Sequence, residues 1–183
     1  MKETLKVTSR LIHYYPPTED FSGQWTGWHK DLGMLTCLTP ALYTDSTGQE
    51  IEWSDPAVGL HGQTKDGEVV KVRVPKDCMI VQIGEAMEVL TGGVIKALPH
   101  AVVPHRRQSL VSRNTMALFI DPTPGDALSI PPERSEKELF ACDSTKGLLT
   151  PKLQGRWCKG DTYGTFYLRS LSAYKQPAKT VVL

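Results

Sequence analysis

Short runs of β-branched and aromatic residues, broken by glycine and proline turns and not separated by long helical patterns, predict an all-β barrel or jelly roll for this 183-residue chain. Three features carry that reading. Residues 5–14 are strand-like and stop at Pro16-Pro17, which cannot donate to a ladder. Asp66-Gly67 sits between residues 59–61 and 68–74 as a hairpin turn. Residues 95–103 and 112–120 read as two further strands with a polar stretch between them.

Taken in order, residues 18–27 form a polar loop after the first strand, and residues 32–43 are largely apolar but interrupted by Pro40, as for a buried strand and its exit. Residues 44–55 are polar and turn-rich, a loop or an exposed hairpin. Residues 78–83 make a short apolar strand, and residues 85–90 about one helical turn before the Gly92-Gly93 break. Residues 123–134 are proline-rich and irregular. Beyond them Asp161 is placed to cap a helix whose Tyr163, Phe166, Tyr167, Ser170, Leu171 and Tyr174 share one face, read as core packing rather than a cofactor box.

The length fits one domain with a sizeable core, and 40% hydrophobic with 22% charged residues is ordinary globular composition. A net charge of +1 gives no electrostatic case for nucleic acid or an anionic membrane, so a small molecule is the expected partner. No run approaches the ~18 apolar residues of a membrane helix. No signal peptide opens the sequence, and a cytoplasmic location is the default expectation. Cys37, Cys78, Cys142 and Cys158 lack metal-site or disulfide spacing; Cys37 and Cys78 read as small core residues.

His29 and Asp31 are two apart, so at a strand end their side chains point the same way. A distant His100 would complete two imidazoles and a carboxylate, the facial ligand set of non-heme Fe(II), with open positions for oxygen chemistry. On composition alone the better reading is a surface pair beside Trp28. His105 competes as distal ligand, but it lies in a polar stretch and reads as a solvated loop residue; His61 reads as structural or exposed. Arg113 falls in an apolar strand where an unpaired guanidinium is costly to bury, and Thr115 shares its face.

The segments RLIHYYPP, GWHKDLGMLTCLTPALY, VPKDCMIVQIGEAMEVLTGGVIKALPHAVV and SRNTMALFIDP, in that order, resemble the C-terminal half of the 2-oxoglutarate and Fe(II)-dependent dioxygenases of the isopenicillin N synthase-like group. In that family the matching motifs are Asn-x-Tyr-Pro-Pro, Gly-x-x-Lys-x-x-x-His and Arg-x-Ser. Here His13 replaces the Asn, Thr115 replaces the Ser, and the interval from His100 to Arg113 is longer than usual. Members also carry a long N-terminal helical region, whereas this sequence starts almost at the barrel, as a truncated piece, a short gene product or a member without that region.

The resemblance implies a double-stranded β-helix (jelly roll, cupin-like) over residues 1–134, with residues 135–183 as a C-terminal extension packed on it. It implies Fe(II) held by His29, Asp31 and His100. It further implies 2-oxoglutarate clamped by Arg113 and Thr115 with help from Tyr15, and O2 as the third reactant. The expected reaction is oxidation of a C–H bond of a small organic substrate, by default hydroxylation, with release of succinate and CO2. Tyr14, Leu38 and Phe119 lie on strands feeding such a site and are candidates for substrate contact. The alternative is a catalytically idle barrel serving as a binding or interaction module. A cupin-like metal enzyme without 2-oxoglutarate is disfavoured by the Arg113-Thr115 pair.

Overall fold

The computed structural model describes residues 5–18, 23–53, 55–105, 110–141 and 150–175. Ten strands and three helices follow in chain order among them. They are β1 (Lys6–Tyr14), β2 (Thr26–His29), β3 (Leu35–Leu38), β4 (Leu42–Thr44), β5 (Glu50–Ile51), β6 (Gly59–Gln63), β7 (Val69–Lys71) and β8 (Ile80–Ile83), then α1 (Glu85–Leu90), β9 (His100–Val103), β10 (Ser112–Asp121), α2 (Glu136–Phe140) and α3 (Tyr163–Lys175).

The strand pairs are antiparallel and fall into two sheets. The larger is organised on β10, whose one edge pairs along its length with β1, from Lys6↔Asp121 to Tyr14↔Arg113. The other edge is shared by β3 and β4 because Pro40 breaks the run between them; Thr39 fills the gap, its N–H donating to Met116 O and its hydroxyl accepting from Met116 N. β8 and β5 complete this sheet, and β2-β9-β6-β7 form the smaller one. The expected mainly β jelly-roll architecture with a C-terminal helix is what the chain adopts.

The turn at Asp66-Gly67 forms as expected, with Gly67 at φ +89°. Gly92 and Gly93, both at positive φ, end α1. Four details differ from the sequence expectation. β9 starts only at His100, because residues 96 and 97 are hydrogen-bonded to a side chain of α1 instead of a neighbouring strand. α2 is an additional helix, begun by a reciprocal capping box between Ser135 and Glu138. The α3 cap is Thr162, whose hydroxyl accepts from Thr165 N, while Asp161 accepts from Cys158 N and pairs with Arg169. Cys78 is exposed rather than in the core, since it belongs to the turn that precedes β8.

One hydrophobic cluster joins Met34, Ala86 and Val89 to Leu128, Leu139, Leu153, Trp157, Tyr163 and Phe166. The apolar face of α3 read from the sequence is thus buried, as Phe166 and Ser170 show. Behind it, Glu85 on α1 and Arg156 form a fully buried bidentate pair, with Nη1–Oε2 at 2.7 Å, and Arg156 also donates to Ser170. No helix among the described residues is long and apolar enough to cross a membrane.

Candidate metal centre and co-substrate anchor

His29 ends β2 and His100 begins β9, and the two are directly opposed in the antiparallel register. Cross-strand pairing therefore brings the imidazoles together, with ring centroids 4.2 Å apart. Each ring is fixed the same way: His29 Nδ1 lies 2.8 Å from Gly27 O and His100 Nδ1 lies 3.1 Å from Leu98 O. A carbonyl can only accept, so Nδ1 carries a proton in each ring, which leaves Nε2 as the nitrogen that takes either a metal or a second proton. Both Nε2 atoms face Asp31 Oδ1, at 3.6 and 3.7 Å.

The three ligand atoms lie within 4.8 Å of one another. Asp31 Oδ2 is buried with no hydrogen-bond partner among the described residues. Burial pushes the Asp31 carboxyl up, but the hydrogen bond from His29 and the two imidazoles hold it below its ordinary value. Burial and the neighbouring His29 push His100 down, favouring the neutral, ligating form. Burial also lowers His29, yet the hydrogen bond and charge of Asp31 outweigh it and raise that imidazole. Two imidazole lone pairs and a carboxylate with an orphaned oxygen fit a divalent cation such as Fe(II).

Arg113 is 5% exposed on β10, between its register partners Tyr14 on β1 and Tyr43 on β4. Its guanidinium lies 5.2 Å from the Tyr14 ring centroid, and Nε and Nη1 are buried without a hydrogen-bond partner among the described residues. Burial raises the Tyr43 phenol, with Arg113 beside it pulling the other way. A cavity of about 340 Å³ opens at this guanidinium, lined also by Leu38, Tyr43, Trp53, Leu60 and Lys71. Buried cationic donors without a partner among the described residues, on a residue that also lines a cavity, suit the recognition of an anionic group.

Thr115 lies on the Arg113 face and is buried, but its hydroxyl donates to Thr39 O at 3.1 Å. Tyr15 is not brought into the site: it is 73% exposed, its ring edge on His13, because strand alternation gives the inward position to Tyr14. His105 is 4% exposed rather than solvated, seated between the rings of Trp25 and Trp53 with Nε2 at 3.2 Å from Val111 O. His61 turns its Nδ1 to Gly59 O and stands outside the metal group. Phe119 packs beneath Arg10, away from the cavity lining. Tyr43 and Trp53 carry no signal in the sequence; only the β10–β4 register and the cavity wall single them out.

The profile of the 2OG-Fe(II) oxygenase superfamily matches residues 8–122, a stretch containing every ligand described above. The chain belongs to that superfamily. Among curated relatives of this oxygenase chain, 1-aminocyclopropane-1-carboxylate oxidase 1 of Doritaenopsis sp. is 30% identical over 136 residues, covering 74% of the chain and 39% of the relative. Scopoletin 8-hydroxylase of Arabidopsis thaliana is 27% identical over 124 residues, covering 67% and 30%. The chain thus spans well under half the length of these relatives. In fold it resembles a full-length Neurospora crassa protein solved in complex with alpha-KG and 5-formyluracil, at TM-score 0.61 and 20% identity over 91% of this chain and 47% of that one. It likewise resembles the rice dioxygenase for auxin oxidation, at TM-score 0.62 and 19% identity over 96% and 49%.

Proposed function

We propose that this chain is the catalytic barrel of a 2-oxoglutarate-dependent dioxygenase that hydroxylates a C–H bond of a small organic molecule. The observation that carries the reading is the convergence of His29, Asp31 and His100 with a second, separate site at Arg113 whose buried N–H groups await an anion. In this reading His29, Asp31 and His100 hold Fe(II), which with 2-oxoglutarate supplies the O2-dependent oxidation and yields succinate and CO2.

The protein's own part is binding, orientation and exclusion of water. Gly27 and Leu98 carbonyls lock both imidazole tautomers, and Asp31 contributes the single negative charge. Arg113 offers a planar fork to the distal carboxylate of the keto acid, with Tyr14 and Tyr43 walling it from solvent. Thr115 supports this wall from the same strand face, and Tyr15 has no part in it. Of the extension expected over residues 135–183, the described residues 135–141 and 150–175 back the barrel through Leu139, Leu153, Trp157 and Phe166; residues 142–149 and 176–183 lie outside the described residues. A small organic substrate is supported by the curated relatives, which include a scopoletin hydroxylase.

Calorimetric titration with Mn(II), then 2-oxoglutarate, separates the two roles. Asp31→Ala is expected to abolish Mn(II) binding. Arg113→Ala is expected to keep Mn(II) binding and weaken 2-oxoglutarate by about tenfold or more, the loss of one charge-assisted bidentate contact. Equal loss of metal in both variants would contradict the separation.

A further inference from the structure

The two metal-bearing arms reach the site from distant parts of the sequence, and one buried carboxylate touches both. Glu88 of α1 is 2% exposed. Its Oε2 lies 3.7 Å from Nζ of Lys30, the residue between His29 and Asp31, and accepts from Ala97 N at 3.0 Å, three residues before His100. Its Oε1 accepts from Lys96 Nζ at 3.3 Å. Lys30 is itself only 6% exposed, and its backbone N–H donates to Tyr174 on α3.

α1 is fastened to the first arm as well: Glu85 N donates to Asp31 O at 2.7 Å and Ala86 N to Gly33 O at 3.1 Å. A Cβ at Gly84 would overlap the Gly33 carbonyl, so this approach requires the glycine. We infer that Glu88 is a positioning residue that sets the spacing of the two ligand arms; this rests on the metal-site reading above. A carboxylate is needed because it faces two ammonium groups at once. With a neutral amide in its place, Lys30 and Lys96 repel across the gap and the arms separate.

Co(II) titrated into the metal-free full chain, followed by its visible absorption, tests the inference without turnover. Wild type is expected to bind. Glu88→Gln is expected to bind about 10–100-fold more weakly, as for groups that orient metal ligands, and with an altered spectrum at saturation. Asp45→Ala, which removes the side-chain hydrogen bonds from Thr47 and Gln49 in the turn between β4 and β5 on the other sheet, should lower Tm but leave affinity and spectrum unchanged. If Glu88→Gln does not fold, Lys30→Met carries the same expectation. Wild-type affinity in the Glu88 or Lys30 variant, or an equal loss in Asp45→Ala, overturns the inference while the metal site stands. Failure of wild type to bind Co(II) overturns the metal-site reading itself.

Discussion

At Asp31, one carboxylate oxygen serves two imidazole nitrogens and the other is buried with no partner among the described residues, an arrangement that is costly until a cation neutralises it. The His29 imidazole, raised by Asp31 above the ordinary value of 6.5, holds a proton that a metal must displace. Apparent Co(II) affinity is therefore expected to fall as pH drops through that raised value, by about tenfold per pH unit beyond it, which a pH series of titrations checks. The sign for the metal-free fold is opposite. A raised pKa contributes stability that is present below the unfolded value and lost as pH rises through the folded one. His29 and Asp31 are legible in the sequence as a short-spaced pair, but the pair alone also reads as a surface feature, and the distant His100 is joined to it only through the resemblance of their segments to a known family. Tyr14 and Tyr15 are not separable there, since adjacent tyrosines differ only in the sheet face that register assigns them.

Among the elements, α1 is short but tied to its surroundings through Glu85 and Glu88, and its pairing with Arg156 connects it to the segment before α3. Burial pushes the Glu85 carboxyl up while Arg156 opposes this, so removal of the guanidinium leaves an uncompensated buried acid. Arg156→Met is expected to cost about 3–5 kcal/mol in denaturant unfolding, and adding Glu85→Gln should recover part of it. Asp161 gives a second test. Burial raises it, but Arg169 at 2.6 Å and the Cys158 N–H outweigh that and hold it below 3.8. Its contribution is thus present above the unfolded value and lost as pH falls through the folded one. Asp161→Asn should cost about 1 kcal/mol at neutral pH, Arg169 being 40% exposed, and flatten the acid limb of a stability–pH curve. Hairpins and the α3 stripe can be read from local pattern. The Glu85–Arg156 pair and the burial of His105 depend on contacts between distant segments, and local pattern holds no trace of them.

Over the whole molecule, the larger sheet supplies Arg113 and the smaller one His29 and His100, so the jelly roll places the proposed anion receptor and the proposed metal site on different sheets of one barrel. The order of the sequence segments predicts that architecture, because each strand pattern is short and turn-bounded; which strands neighbour one another follows only from β10 carrying three partners. The family profile covers residues 8–122, while the hydrophobic cluster extends through Leu139, Leu153, Trp157 and Phe166, so the later residues share the core of the matched barrel. The most direct measurement is the anaerobic visible spectrum of the purified chain with Fe(II), before and after 2-oxoglutarate. A charge-transfer band that requires both additions, and is missing in Arg113→Ala at the same 2-oxoglutarate concentration, is the predicted result. A folded, Fe(II)-loaded chain with no such band would contradict the assignment of Arg113 and the metal triad to one co-substrate.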